Sequence, residues 1–250
     1  MPSTKRIWVT GASEGIGRGL LQHYRTLGWH TLGTARRPEG PPEADRWIPG
    51  DLSLPAQRTK VVDELLHDGT WPDLIVLNAG IGYLASALET RPEDADRVFA
   101  LNYTAPVELT RMLLERSQGR PLHVVVISSI AARFGQQNLA TYSASKAAVS
   151  LWAESVNAEW QGRSHRIQLI LPGVVSTDIM RHSIGSDGQP LGDRAGTHRG
   201  WSVERTAKAI ERATRSRRFA HILASPSVRL ALLLHDLCPS LFYLLLRRKP

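Results

Sequence analysis

Tyr142 and Lys146 stand four residues apart in Thr141-Tyr142-Ser143-Ala144-Ser145-Lys146, where a run of strong helical character begins that reaches Trp160. Positions i and i+4 of a helix share one face, one turn apart, so a phenol and an ammonium can enter the same cleft. That pairing is chemically useful. A free tyrosine ionises near pH ~10, too high for proton transfer at neutral pH. A positive charge ~4 Å away, at an effective dielectric of ~20, is worth roughly 4 kcal/mol. It would lower the phenol by up to about three pH units and make it a usable general acid or base. The same four-residue pattern arises by chance on surface helices, so its meaning depends on what the chain places around it.

Arg6–Thr10 reads as a strand, followed by Gly11-Ala12-Ser13-Glu14-Gly15-Ile16-Gly17 and an apolar-periodic helix stopped by Gly28. A strand, a glycine-rich turn and a helix form an opening that binds a dinucleotide. Gly11, Gly15 and Gly17 let backbone N–H groups approach a pyrophosphate at the positive helix N-terminus. A second strand, His30–Ala35, ends at Arg36-Arg37. An acid at this strand end would accept from a ribose 2′-hydroxyl, whereas an arginine suits a 2′-phosphate. Ala35 occupies the acidic position and Arg36 follows it. A charge-assisted contact of roughly 1.5–3 kcal/mol would give about a 10- to 100-fold preference for the phosphorylated cofactor.

Trp47–Pro49 reads as a short strand ending at Asp51-Leu52, with Ser53 as the cap of a helix to about His67. Asp73–Leu77 reads as a buried parallel strand that ends in Asn78-Ala79-Gly80, small residues that let backbone pass close to a ligand. Thr90-Arg91-Pro92-Glu93 matches a capping box. Asn102 interrupts the helical run that follows, which resumes to about Ser117. Strands at Leu122–Ile127, Ile167–Leu171 and Phe219–Leu223 end the series. They release Ser128-Ser129 and Pro172-Gly173-Val174-Val175-Ser176-Thr177 at the same sheet edge. Alternating strands and helices specify an α/β protein: a Rossmann-type doubly wound parallel sheet, one domain, about seven strands flanked by helices. The carboxyl edge of such a sheet is its ligand edge.

The 250 residues and net charge of +8 fit one globular domain with a basic surface. The arginines are dispersed and not interleaved with aromatics, so nucleic acid is not an expected partner. No metal site is expected. One cysteine, Cys238, and a short polar Met1–Arg6 fit a reducing, cytoplasmic setting. Residues 178–201 have no clear period and read as a mobile lid on a domain spanning 1–225. Arg181, His182, Arg194, His198 and Arg199 within it read as a solvated basic loop, or as contacts to an anionic substrate. Residues 226–250 form an amphipathic tail in which Leu230, Leu234, Leu237, Leu241, Leu244 and Leu245 step by threes and fours, broken near Pro239. Packing on the protein itself is one reading of the tail; peripheral membrane contact ending in Arg247-Arg248-Lys249 is the other.

Thr10-Gly11-x-x-x-Gly15-x-Gly17, Asn78-Ala79-Gly80, Asn102, Ser129, Tyr142-x-x-x-Lys146 and Pro172-Gly173 with Thr177 together resemble the short-chain dehydrogenase/reductase family over residues 5–225. The resemblance implies hydride transfer between NADP(H), preferred over NAD(H), and a small-molecule carbonyl or secondary alcohol. Tyr142 would be the general acid/base and Lys146 would lower its pKa and hold the nicotinamide ribose. Ser129 would bind the substrate oxygen, with Ser128 facing the other side. Asn102 would anchor a proton-relaying water. Gly11, Ser13, Gly15, Ile16, Gly17, Arg36, Asp51, Leu52, Asn78, Ala79, Gly80, Tyr142, Lys146, Pro172, Gly173, Val175 and Thr177 would bind cofactor. A homodimer or homotetramer is implied, partly through the helices after Asn102 and Tyr142. Two positions depart from the pattern. Leu77 replaces a frequent asparagine, and Glu14 stands where many NADP-using members carry arginine or lysine. The competing class is a catalytically silent dinucleotide-binding sensor or structural partner.

Overall fold

The computed structural model describes residues 4–195 and 200–246. His198, Arg199, Arg247, Arg248 and Lys249 lie outside the described residues. The strands are β1 (Arg6–Thr10), β2 (His30–Ala35), β3 (Arg46–Pro49), β4 (Leu74–Leu77), β5 (Tyr83–Leu84), β6 (His123–Ile127), β7 (Arg166–Pro172), β8 (Ile184–Gly185) and β9 (Ala220–Leu223). The helices are α1 (Gly15–Thr26), α2 (Pro55–Leu66), α3 (Pro92–Phe99), α4 (Ala105–Arg116), α5 (Ala140–Glu159), α6 (Ile179–His182), α7 (Val203–Arg215), α8 (Pro226–Leu237) and α9 (Pro239–Leu246).

Seven strands pair in the order β3-β2-β1-β4-β6-β7-β9, all parallel. Successive side chains alternate between the two faces, so one apolar run feeds two cores. Trp8, Leu32, Ile75, Val124 and Leu169 pack with α2, α4 and α5 on one face. Ile7, Val9, Val76, Val125 and Ile170 pack with α1 and α7 on the other. This is the doubly wound sheet expected from the sequence.

Two helix starts differ from expectation. Ser53 does not cap α2: its hydroxyl donates to Asp51 Oδ1 at 2.7 Å, and Leu54 holds the cap position without a side-chain bond. Thr90 does not cap α3 either. Its hydroxyl donates to the Ser86 carbonyl at 3.3 Å, while Glu93 is taken by Arg91 Nε at 2.8 Å. In both turns a nearer partner captures the capping group.

The stretch read as a patternless lid has structure of its own. β8 pairs with β5 in a separate two-stranded parallel sheet. Val175 bridges to Trp201, and Trp201 N donates to the Val174 carbonyl at 2.9 Å. The described part is therefore a pinned strap. A two-residue strand carries no readable alternation, so its partner across the fold decides it.

Candidate active site

The chain order of the sheet reverses between β1 and β4, and the cleft opens at their carboxyl ends, the switch-point position of ligands in such folds. Gly11, Ser13, Gly15, Ile16, Arg36, Asp51, Leu52, Asn78, Ala79, Gly80 and Thr177 line it, as expected from the sequence. Glu14, Arg37, Ile81, Leu101, Asp178, Ile179 and His182 line it as well. Gly17, Tyr142, Lys146, Pro172, Gly173 and Val175 do not. Pro172 ends β7 inside the sheet, Gly173 N donates to the Leu223 carbonyl at 2.9 Å, and Val175 is bridged to Trp201.

The glycine turn is a steric requirement. Gly11 has φ +65°, and a Cβ there would lie 2.7 Å from Ala79 Cα. Gly17 faces inward: a Cβ on it would strike the Gly11 carbonyl oxygen and come within 2.9 Å of Ala12 Cα. Asn78 fastens the turn to β4. Its Nδ2 donates to the carbonyls of Thr10 (3.0 Å) and Gly11 (3.1 Å), while Thr10 Oγ1 accepts from the backbone of Asn78 and Ala79. No side chain caps α1, and its first turn holds no acid. Its N-terminal N–H groups thus present an uncapped cradle suited to a phosphate. The residues fit a dinucleotide on these grounds.

Asn102 sits in a π-helical turn, Ala100–Thr104, between α3 and α4. Pro106 explains the turn, because it has no N–H to offer the carbonyl of residue 102 and its ring would crowd that carbonyl in an α-helix. The buried Asn102 amide is fully engaged. Oδ1 accepts from Ile81 N (2.9 Å), and Nδ2 donates to the Ile81 carbonyl (2.9 Å) and Ser145 Oγ (3.0 Å). The clamp on Ile81 was not legible in the sequence; the π turn could have been inferred from Pro106.

Gly80 marks where the two halves of the site meet. A Cβ there would lie 3.0 Å from Asn102 Oδ1 and 3.1 Å from Lys146 Nζ. Lys146 is buried and its ammonium donates to the Ile127 carbonyl at 3.1 Å. Burial lowers its pKa to about 8. Burial raises the Tyr142 phenol above its usual value, and the Ser129 contact works against that rise. Desolvation thus sets the direction of the phenol's shift, opposite to the expected depression. Ser129 Oγ also accepts from Ala131 N at 3.1 Å. Ser128 faces away, with its hydroxyl on Ser150 Oγ (2.7 Å) and the Lys146 carbonyl (3.0 Å), as extended backbone requires.

At the mouth, Arg36 is exposed and has no bonded partner among the described residues. Arg37 is committed to Glu14 (2.8 Å), and the other Glu14 oxygen meets His182 Nε2 at 3.1 Å. Asp51 Oδ1 is occupied by Ser53. Arg58, which the sequence gave no reason to single out, is buried. It holds the carbonyls of Leu52 (2.9 Å) and Ser53 (3.3 Å) while pairing with Glu108 at 2.8 Å, so the loop after β3 is tied to α4.

The sequence profile of the short chain dehydrogenases matches residues 5–187. The chain belongs to the short-chain dehydrogenase/reductase family. Dehydrogenase/reductase SDR family member 7B of Bos taurus is 30% identical over 260 residues, covering 95% of this chain and 79% of that protein. A short-chain dehydrogenase of Burkholderia cenocepacia in complex with NADP superposes with a TM-score of 0.80 at 22% identity, covering 98% of each chain. A short-chain dehydrogenase/reductase of Burkholderia phymatum in complex with NAD gives 0.79 at 19% identity, covering 96% of this chain and 95% of that one. As a member of this oxidoreductase family, the protein carries its cleft at the nucleotide edge of the fold, with Lys146 and Asn102 beside Gly80.

Proposed function

We propose that the protein is an NADP(H)-preferring oxidoreductase of carbonyls and secondary alcohols, with Tyr142 as its general acid/base. The observation that carries this reading is a buried Lys146 one turn of α5 after Tyr142, with no salt-bridge partner among the described residues, and a Ser129 hydroxyl that acts on the Tyr142 phenol. A nicotinamide dinucleotide bound in the cleft supplies or accepts the hydride. In the reducing direction, a C–H bond forms at the carbonyl carbon and the C=O π pair moves to oxygen. Tyr142 gives its proton to that oxygen, while Ser129 donates a hydrogen bond to the charge as it develops. Lys146 Nζ stabilises the phenolate left behind, and Asn102 holds Ile81 and Gly80 in place beside it. Oxidation runs the same steps backwards.

The cofactor preference rests on Arg36, which lines the cleft without a partner where Ala35 offers no acid. The active unit in this proposal is a homodimer or homotetramer formed partly through α4 and α5.

The test is Tyr142→Phe, assayed for turnover and for NADPH and NADH binding by fluorescence titration. Turnover should fall by about 10²-fold or more with cofactor affinity kept. Near-normal turnover would refute the assignment. Tight binding of NADPH with no turnover of any carbonyl by the unaltered protein would favour a dinucleotide-binding sensor. An NADPH preference of about 10-fold or more should disappear in Arg36→Ala.

A further inference from the structure

Beyond the last strand, α8 and α9 fold back on one another and present two unlike faces. The inner face is buried: Leu232 and Phe242 are nearly inaccessible, and His235 stacks edge-on to Phe242 at 5.1 Å. This face docks on the loop that follows Ser129. Phe134 lies 5.1 Å from Phe242 and 5.8 Å from His235, and Arg133 is paired with Asp236 at 2.6 Å. The outer face is apolar and in water. Leu230, Leu233 and Leu237 form a stripe on α8, with Leu230 and Leu237 exposed to 67% and 76%; Leu241, Leu244 and Leu245 project from α9. Patches of this kind on a folded domain mark an interaction surface.

We propose that this helical hairpin docks on an anionic lipid surface. The charge of the segment selects that occupant. From residue 226 to 250 the sequence has four cations, Arg229, Arg247, Arg248 and Lys249, and one carboxylate, Asp236, already held by Arg133. A leucine stripe followed in the sequence by Arg247, Arg248 and Lys249 has the composition that complements acyl chains beneath anionic headgroups. A second copy of the hairpin would bring cations against cations with no acid to meet them. The helices are 12 and 8 residues long, and no helix among the described residues is long and apolar enough to cross a membrane, so the contact lies in the interface plane. Because the hairpin grips Arg133 and Phe134, docking would bring the loop next to Ser129 close to the lipid. A substrate class follows, resting on the oxidoreductase reading above: apolar carbonyls or alcohols dissolved in lipid.

The experiment is flotation of the full chain with vesicles of phosphatidylcholine alone or mixed with phosphatidylserine, beside the double variant Leu237→Glu/Leu244→Glu. The wild-type chain should float with the anionic vesicles and be released by high salt. The double variant should partition at least ~10-fold less, while its retained NADPH binding shows that the fold is intact. A chain that stays down with anionic vesicles, floats equally on neutral ones, or floats undiminished in the double variant overturns the proposal. A dimer that the two glutamates dissociate, without flotation of the wild type, assigns the face to a second copy and also overturns it. Tyr142→Phe should float normally, which separates failure of docking from failure of the chemistry. The substrate class is tested by kcat/KM. The double variant should lose about 10-fold on a long-chain ketone held in vesicles and nothing on a short soluble ketone; equal loss on both removes it.

Discussion

The two walls of the cleft are held by different forces. On the β1–β4 wall, amides and backbone do the holding: the half-buried Asn78 on Thr10 and Gly11, and the buried Asn102 on Ile81. The strap wall has backbone links at β5–β8 and Val175–Trp201, and its side-chain pairs lie at the surface. Arg181 pairs with Asp193 (2.7 Å), Arg194 with Asp187 (2.9 Å) and His182 with Glu14 (3.1 Å), all through exposed groups. A buried polar group that loses its partner costs ~1–3 kcal/mol, whereas an exposed ion pair is worth ~0–1 kcal/mol. The first wall therefore resists displacement and sets geometry. The ion pairs of the second can break at small cost, leaving its backbone links to hold it.

The largest effect should come from the rigid wall. Gly17→Ala places a methyl against the Gly11 carbonyl and Ala12, so the turn itself must move. Overpacking of this kind costs ~1–3 kcal/mol, and the moved backbone no longer cradles a phosphate. Dinucleotide affinity by fluorescence titration should fall by about 100-fold or more, with a lower melting temperature. Unchanged affinity would mean that the turn does not hold the cofactor.

Lys146→Met probes the same wall with the opposite sign for stability. The folded-state pKa of Lys146 is lowered by burial to about 8, against 10.5 for the free side chain. Below pH 8 the lysine is charged in both states, and the folded protein bears the full cost of a buried ammonium. Between those two values the unfolded chain still binds a proton that the folded chain has lost, so wild-type stability rises with pH. Methionine removes the cost. The variant should be more stable at pH 7 by up to roughly 3 kcal/mol, and the gain should vanish above pH 10.5. Turnover should be lost throughout. Denaturant unfolding across this range checks it, and a variant less stable at pH 7 would show that the ammonium is a net structural asset.

The same contrast explains what could be read from the sequence. The glycine turn and the Tyr142–Lys146 spacing were legible because sterics and helical period fix them locally. Ser128 and Ser129 were told apart by the alternation of an extended chain. Ser53 and Thr90 were misread as caps because Asp51 and Ser86 compete for their hydroxyls, a choice made only once the turns close. The phenol of Tyr142 was expected to be depressed by a charge, but burial, which sequence spacing does not report, dominates it. β8 was missed because its two residues owe their strand geometry to β5.

The smallest expected effect is the sharpest test of the strap. Glu14 uses one oxygen for Arg37 and the other for His182, so it links the glycine turn both to the end of β2 and to α6. Glu14→Gln removes the ion pair with Arg37 and the carboxylate oxygen that meets His182 Nε2. All three side chains are more than a third exposed, and the melting temperature should move by no more than a degree or two. Loss of the His182 contact should speed NADH dissociation about 2- to 5-fold, as release of a contact worth ~0.5–1 kcal/mol does. NADPH should respond differently, because the freed Arg37 can join Arg36 at a 2′-phosphate and offset the loss. Stopped-flow dissociation of the two cofactors measures both. A faster NADH rate with an unchanged or slower NADPH rate places Glu14 as a brake on phosphate recognition as well as a latch. Equal acceleration of both leaves only the latch, and no change in either means that the strap is held without it.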